Sequence, residues 1–494
     1  MLRIKKITAD EAAALIRNGE CVGISGLTAA GAVKVVPAAI ARRSLLEHES
    51  GRAFGISLVS GGSTHPNVDG VLALANAVNR RIPYQSNPDL RGKINSGDTA
   101  YVDMHLSIVT QAMRYGHIPK VDTAIVEVCH VSDDGELTFT TSSSNNAGFC
   151  MMADRIILEL NTYHSPRLRE IHDVFLPDDY PNRQPIQVMK PWERVGRGTL
   201  KVDPSKIVGI VETHLPDPVP AFKHSSPVTD EIGMNIVRFL EKEYVEGRIP
   251  KDFSPIQSGI GNVANAVLMS LRGSEIIPPF CMYTEVAQNS VIDLLKSGRC
   301  KFVSSSTITV TEDLQKEFYE NFDFYKDKIL LRPTEISNNP EVIRRMGVIS
   351  MNTAIESDIF GNVNSTHFFG KQMMNGIGGS CDYARAAAYT IFSCPSTAKN
   401  GTISSIVPMV SHTDQTEHDV DVLVTEQGVA DLRGKSPRER ARLIIDNCAH
   451  PDYRPLLNRY LELSDGGHTP HTLEYAFSFH TAYLKTGDMR NVLF

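Results

Sequence analysis

Residues 256–267 read Ile256-Gln-Ser-Gly-Ile-Gly-Asn-Val-Ala-Asn-Ala-Val267. A strand arriving through Ile256 meets two glycines, Gly259 and Gly261, and then a run that reads as helix. Glycine lets the backbone approach a ligand without side-chain clash. The first turn of the helix offers unpaired N–H groups at the positive end of its dipole. Strand, glycine loop and helix make one α/β unit. The loop itself admits two readings, an anion-binding cradle or a plain turn.

The same rhythm runs in both directions from this point. Upstream, Thr8 and Glu11 fit a capping box for a helix over Ala12–Arg17, and Gly19 sits where that helix would stop. Cys21-Val-Gly-Ile-Ser-Gly26 then reads as a strand, and Leu27–Ala32 as a small-residue loop before a helix ending near Arg43. Further strands are expected at Phe54–Val59, Thr123–Val128, Arg155–Leu160 and Ile207–Val211. Four prolines between Leu215 and Val228 mark a linker. Downstream, Pro279–Tyr283 leads into Thr284-Glu-Val and a helix, Val420–Val424 leads into Thr425-Glu-Gln-Gly, and Ser436-Pro437 is a helix cap. The expected architecture is α/β throughout: two halves, residues 1–222 and 223–494.

Size and composition agree with this. A single core usually stops growing at roughly 250–300 residues, and the chain has 494. Apolar residues make up 41% and charged residues 22%, the balance of a globular protein. With 50 Lys and Arg against 57 Asp and Glu, the net charge of −7 lacks the basic surplus of a nucleic-acid binder. The eight cysteines form no Cys-x-x-Cys pair and no zinc-spaced cluster, so no metal is expected and a reducing compartment is. There is no run of about 18 apolar residues and no apolar core at the start, so the expected address is the cytoplasm, without a membrane span.

Several segments carry candidate chemistry. Glu285 is expected at the C-terminal end of a strand, just before a helix, where open α/β sheets bind ligands. Pro278–Tyr283 before it is apolar, so this carboxylate is poorly hydrated and potentially reactive. The plain alternative is a helix-initiating acid stabilised by the dipole. Asn375-Gly-Ile-Gly-Gly-Ser-Cys-Asp382 packs three glycines into five residues, fit either to ring an oxygen anion with N–H groups or to make a tight turn. Glu426 stands at another strand end, and Asn338 in a turn before Pro340.

Taken together and in this order, Ser-Gly-Ile-Gly-Asn-Val, Tyr-Thr-Glu-Val, Ile-Ser-Asn-Asn-Pro, Asn-Gly-Ile-Gly-Gly-Ser and Val-Thr-Glu-Gln-Gly resemble the acetyl-CoA hydrolase/transferase branch of the class I CoA transferases. The likeness is nearest to succinyl-CoA:acetate and propionyl-CoA:succinate enzymes and runs from Ser25 to Arg454. It implies two related open α/β domains of the NagB/RpiA-like kind with the active site between them. It implies Glu285 as nucleophile, with an acyl-glutamyl anhydride followed by a glutamyl-CoA thioester. It implies backbone N–H groups of Ile260 and Gly379 as the oxyanion hole. Contacts to CoA fall on Gly259, Ile260, Gly261, Asn262, Val263, Asn375, Gly379 and Lys399; Ser63, Asn338 and Glu426 have supporting roles. CoA is then a substrate, no other cofactor is expected, the partners are acyl-CoA and short-chain carboxylates, and the assembly is a homodimer.

Two departures stand out. Relatives that hold a distal carboxylate with an arginine carry it just after the last strand of the first half; here Val211-Glu-Thr-His-Leu-Pro216 has none. Cys381 stands where the pattern has glycine, and is expected as inert packing. The same residues also serve an acetyl-CoA hydrolase if water reaches the intermediate, and a non-catalytic acyl-CoA sensor remains a third reading.

Overall fold

The computed structural model describes residues 5–62, 65–221 and 225–494. The expected boundary between the halves at residue 222, and Ser63, lie outside the described residues. Two large sheets dominate, one of nine strands and one of eight.

In the first sheet, Ala100–Tyr101, Val78–Ile82, Ile56–Ser60, Cys21–Ile24, Thr123–Val131, Arg155–Asn161 and Ile207–Thr213 lie side by side in that order, all parallel. Glu136–Phe139 and Leu200–Lys201 extend it by antiparallel pairing. In the second, the order is Ile329–Leu331, Cys300–Ser305, Phe280–Tyr283, Ile256–Ser258, Ile349–Thr353, Tyr389–Ser393 and Val422–Thr425, again all parallel, with Gly428–Asp431 antiparallel at the edge. Numbered along the chain, the parallel strands of both sheets follow one order, 4-3-2-1-5-6-7. The two halves are two copies of one open α/β fold.

Parallel strands are buried on both faces, which is why they read as near-continuous apolar runs. Ile125 and Ile157 enter one core layer, while Ala124, Val126, Ile156 and Leu158 enter the layer on the opposite face. In the second sheet Ile391, Val422 and Val424 face one layer and Phe392 and Leu423 the other.

Most local expectations match. Thr8 and Glu11 form the capping box, on a helix spanning Ala9–Ala14, and Gly19 is left-handed at φ +84°. The helix expected to end near Arg43 continues to Glu49, because nothing interrupts it before Gly51 at φ +73°. One difference matters for the site. Glu285 does not precede a helix directly: a short strand, Val286–Gln288, follows it, and the helix starts at Asn289. That strand pairs with Thr307–Thr309, so sheet pairing sets the backbone after Glu285 and the acid is not at a helix N-terminus.

Candidate active site

In each sheet the first strand lies between the second and the fifth, so the chain order reverses there. Crevices at such switch points, beyond the strands' carboxyl ends, are where α/β sheets bind ligands. The loop after Ile24 and the loop after Ser258 both open onto the same cavity of about 580 Å³, whose walls include Leu27, Thr28, Gly259, Ile260, Glu285 and Gly379. The cavity lies between the two halves. No Lys or Arg is among the described residues lining it. Pro220 from the linker contributes to the wall.

Glu285 is anchored from its backbone outward. Its carbonyl accepts from Ser306 N at 3.0 Å and from Ser305 Oγ at 2.9 Å. Its carboxylate Oε2 accepts from Asn338 Nδ2 at 2.5 Å. The Asn338 side chain is fully buried, and its Oδ1 accepts from Ser337 Oγ at 2.8 Å. A Cβ added to Gly379 would lie 1.9 Å from Glu285 Oε2 and 2.5 Å from Asn338 Nδ2, so only glycine lets that turn close over the carboxylate. Burial pushes the Glu285 carboxyl up to about 7, the Asn338 bond pulls it down, and the nearby Asp382 charge adds to the rise.

The N–H groups of Ile260 and Gly379 have no acceptor among the described residues. Ile260 is itself 46% exposed at the cavity wall. Its loop is set by Gly259 N donating to Met351 O at 3.0 Å and by Gln288 Nε2 donating to Gly259 O at 3.1 Å. Gly261, at φ +115°, turns the chain into the helix Asn262–Gly273, whose first residue is exposed and whose second, Val263, packs on the core.

The glycine-rich turn is held from the opposite half. Ile377 N donates to both carboxylate oxygens of Asp103, at 3.0 and 2.9 Å, and Gly376 N donates to Gln85 O at 3.1 Å. Asn375 reaches the cavity and donates to Ser365 O and Gly376 O. Cys381 is buried, donates to Asp414 O at 3.5 Å, and is pushed well above the ordinary thiol range by burial, which fits inert packing.

Glu285, Asn338, Ile260, Gly379, Gly259 and Asn375 therefore come together. Of the other expected residues, Gly261, Asn262 and Val263 continue from the loop into the helix outside the cavity lining, and Glu426 and Lys399 do not join the group either. Glu426 bonds Ser396 through its N–H at 2.8 Å and its hydroxyl, bracing the loop before Lys399. Lys399 is exposed and left-handed at φ +50°. Sequence reading missed Asp382, Ser107 and Asp103, which surround the turn, and Ser305 and Ser306, which fix the Glu285 backbone. The run Ser304-Ser-Ser-Thr307 beside a strand was the available signal for the last two.

A doubly wound α/β pair with a poorly hydrated carboxylate in a cavity that also carries two unbonded backbone N–H groups has the parts of a covalent acyl-transfer enzyme. Residues 3–212 match the acetyl-CoA hydrolase/transferase N-terminal domain and residues 315–461 the C-terminal domain of the same family. The chain is 46% identical to propanoyl-CoA:succinate CoA transferase of Escherichia coli, over 98% of both chains. It is 48% identical to succinyl-CoA:acetate CoA-transferase of Clostridium kluyveri, over 99% of this chain and 91% of that one. Acetyl-CoA hydrolase of Candida glabrata is 38% identical over 98% of this chain and 94% of its own. Among solved structures, RipA from Yersinia pestis shares the fold at a TM-score of 0.71 and 22% identity, covering 92% of this chain and 96% of that one. The chain belongs to the acetyl-CoA hydrolase/transferase family, and it is an enzyme of the CoA-transferase type.

Proposed function

We propose that this enzyme moves CoA between short-chain acyl groups through a covalent intermediate on Glu285. The observation that carries the reading is the Glu285 carboxylate itself, held by Asn338 at 2.5 Å in a cavity lined by Ile260 and Gly379. Glu285 attacks the thioester carbonyl of an acyl-CoA. The C–S bond breaks, leaving an acyl-glutamyl anhydride and CoA thiolate. The thiolate attacks the glutamyl carbonyl, releasing the first carboxylate and leaving a glutamyl-CoA thioester. A second carboxylate attacks that thioester, and the steps run in reverse. Each step forms a tetrahedral oxyanion, for which the N–H groups of Ile260 and Gly379 are the donors; losing one such donor typically costs about 2.7–4 kcal/mol.

CoA extends over Gly259–Val263, Asn375 and Lys399, and binding energy from this distant part serves to desolvate and position the thioester. CoA is the only coenzyme the reaction needs. Succinyl-, acetyl- and propionyl-CoA and the corresponding acids are the substrates, as the names of the two transferases at 46% and 48% identity support. Those identities exceed the 38% of the named hydrolase, which favours transfer over hydrolysis as the main activity. The enzyme is a cytoplasmic homodimer, its two domains dividing at residue 222; the eight unpaired cysteines support a reducing compartment.

Borohydride reduces an enzyme-bound thioester. Treatment after acetyl-CoA is expected to abolish activity and change the mass of the Glu285 peptide. Glu285→Ala is expected to remove acyl exchange while leaving the circular dichroism and the melting transition intact. Near-normal exchange by that variant would refute the assignment. A matrix of acyl-CoA donors against acetate, propionate and succinate reads the substrates, and CoA release without added acid measures hydrolysis.

A further inference from the structure

The nucleophile assignment leaves unexplained a second buried carboxylate a few ångströms from the first. Asp382 comes from the short helix Ser380–Ala384, three residues past Gly379, and its side chain is 2% exposed. It is the partner of three groups. Ser107 N donates to its Oδ2 at 3.1 Å and Ser107 Oγ to its Oδ1 at 2.6 Å, both from the first half. Asn338 Nδ2 donates to its Oδ2 at 3.4 Å. His105 Nδ1 lies 3.5 Å from its Oδ1.

The Asn338 amide nitrogen carries two hydrogens. One serves Glu285 Oε2 and the other points to Asp382 Oδ2, while Ser337 occupies Oδ1. A flipped amide would turn its oxygen toward two carboxylates, so Asp382 and Ser337 together fix which way Asn338 faces. Since Oε2 is engaged by Asn338 and receives no other hydrogen bond among the described residues, the direction of the Asn338 N–H decides how the glutamate is aimed.

Resting on the reading of Glu285 as nucleophile, we infer that Asp382 is a positioning residue that orients the Asn338 amide onto Glu285 and ties that orientation to the docking of Ser107 from the opposite half. The turn bearing Gly379, the amide donor and the nucleophile then form one unit that is complete only when the first half is seated against the second. Asp382 touches no substrate; it acts through Asn338. Burial pushes its own carboxyl up to about 7, and the two Ser107 bonds oppose that rise.

The test is a double-mutant cycle on the full-length enzyme. Asp382→Ala removes the acceptor that faces Asn338. It is expected to lower kcat about a hundredfold, the scale of a 1 Å misplacement, with KM for acyl-CoA within about twofold of wild type. In an Asn338→Ala background the same substitution is expected to cost nothing further, since the partner it acts through is gone. Ser107→Ala, which removes one hydroxyl, gives a smaller kcat loss with KM unchanged and serves if Asp382→Ala folds poorly by melting. Independent, multiplying losses in the double variant, or kcat near wild type for both Asp382→Ala and Ser107→Ala, would overturn the inference. Borohydride labelling of the wild type runs alongside. A labelled Glu285 with an additive cycle defeats this inference alone, whereas absence of label on Glu285 defeats the nucleophile reading and this inference with it.

Discussion

Glu285 titrates in an unusual range because water has been replaced around it by one amide, one glycine and a neighbouring acid. Its carboxyl is raised to about 7, and on the proposed mechanism it attacks as the carboxylate. Lowering pH through that value therefore protonates and silences it. The expected result is a kcat/KM for acyl-CoA that falls about tenfold per pH unit below about 7, reporting the free enzyme. An acid limb near the ordinary glutamate range would mean the side chain is well hydrated. The residue types here were legible from the sequence: an acid after an apolar strand, glycines, and a turn asparagine. What was not legible was which acid faces which, since Asp382 lies 97 positions from Glu285 and meets it only through Asn338. The sequence reading also put Glu285 at a helix start, because three residues of strand are too few to show a period.

Among the elements, the turn Asn375–Gly379 is held in shape by distant segments. Both carboxylate oxygens of Asp103 accept from Ile377 N, Tyr101 Oη donates to Oδ1 as well, and a Cβ on Gly376 would fall 2.2 Å from Tyr101 Oη and 2.8 Å from Asp103 Oδ1. Hydrogen bonds to charged groups contribute roughly 1.5–3 kcal/mol. Asp103→Ala is expected to leave the fold intact and lower kcat/KM about tenfold by loosening the turn, read by steady-state kinetics. An unchanged kcat/KM would show that the turn holds itself. Strand and helix identities followed from apolar runs and glycine stops. Helix ends were misplaced in both directions: the helix expected over Ala12–Arg17 spans Ala9–Ala14, and the one expected to stop near Arg43 runs to Glu49.

Across the whole molecule, a buried ionic cluster fixes the segment that joins the halves. Lys34 Nζ lies 2.8 Å from both Glu127 and Asp217, all of them buried. Asp217 belongs to the linker and exchanges two bonds with Gln315 of the second half. Burial alone would lower the Lys34 pKa, but the two carboxylates outweigh it and hold it above the usual lysine range. Glu127, His164 and Asp217 have ligand atoms close enough for a metal ion, and the Lys34 ammonium already supplies the positive charge there. Removing one partner of a buried pair costs about 3–5 kcal/mol, so Lys34→Met is expected to destabilise the protein by that amount in denaturant unfolding. A shift under about 1 kcal/mol would mean the acids are neutral or hydrated. The doubling of the fold was nearly invisible in the sequence. Only Ser25-Gly26 and Ser258-Gly259, each closing the first strand of its sheet, hint at it, because strand order is a property of space and leaves no local pattern.

The repeated topology gives each half the same second strand, yet the two strands end differently. One leads into Thr284-Glu285, the other into Gly61-Gly62. A Cβ at Gly61 would lie 1.6 Å from Ser144 Oγ, so that corner has no room for a side chain. The two copies have thus diverged at this strand end: one carries a carboxylate, while the other turns through two glycines, the first packed against Ser144, and carries no side chain at all.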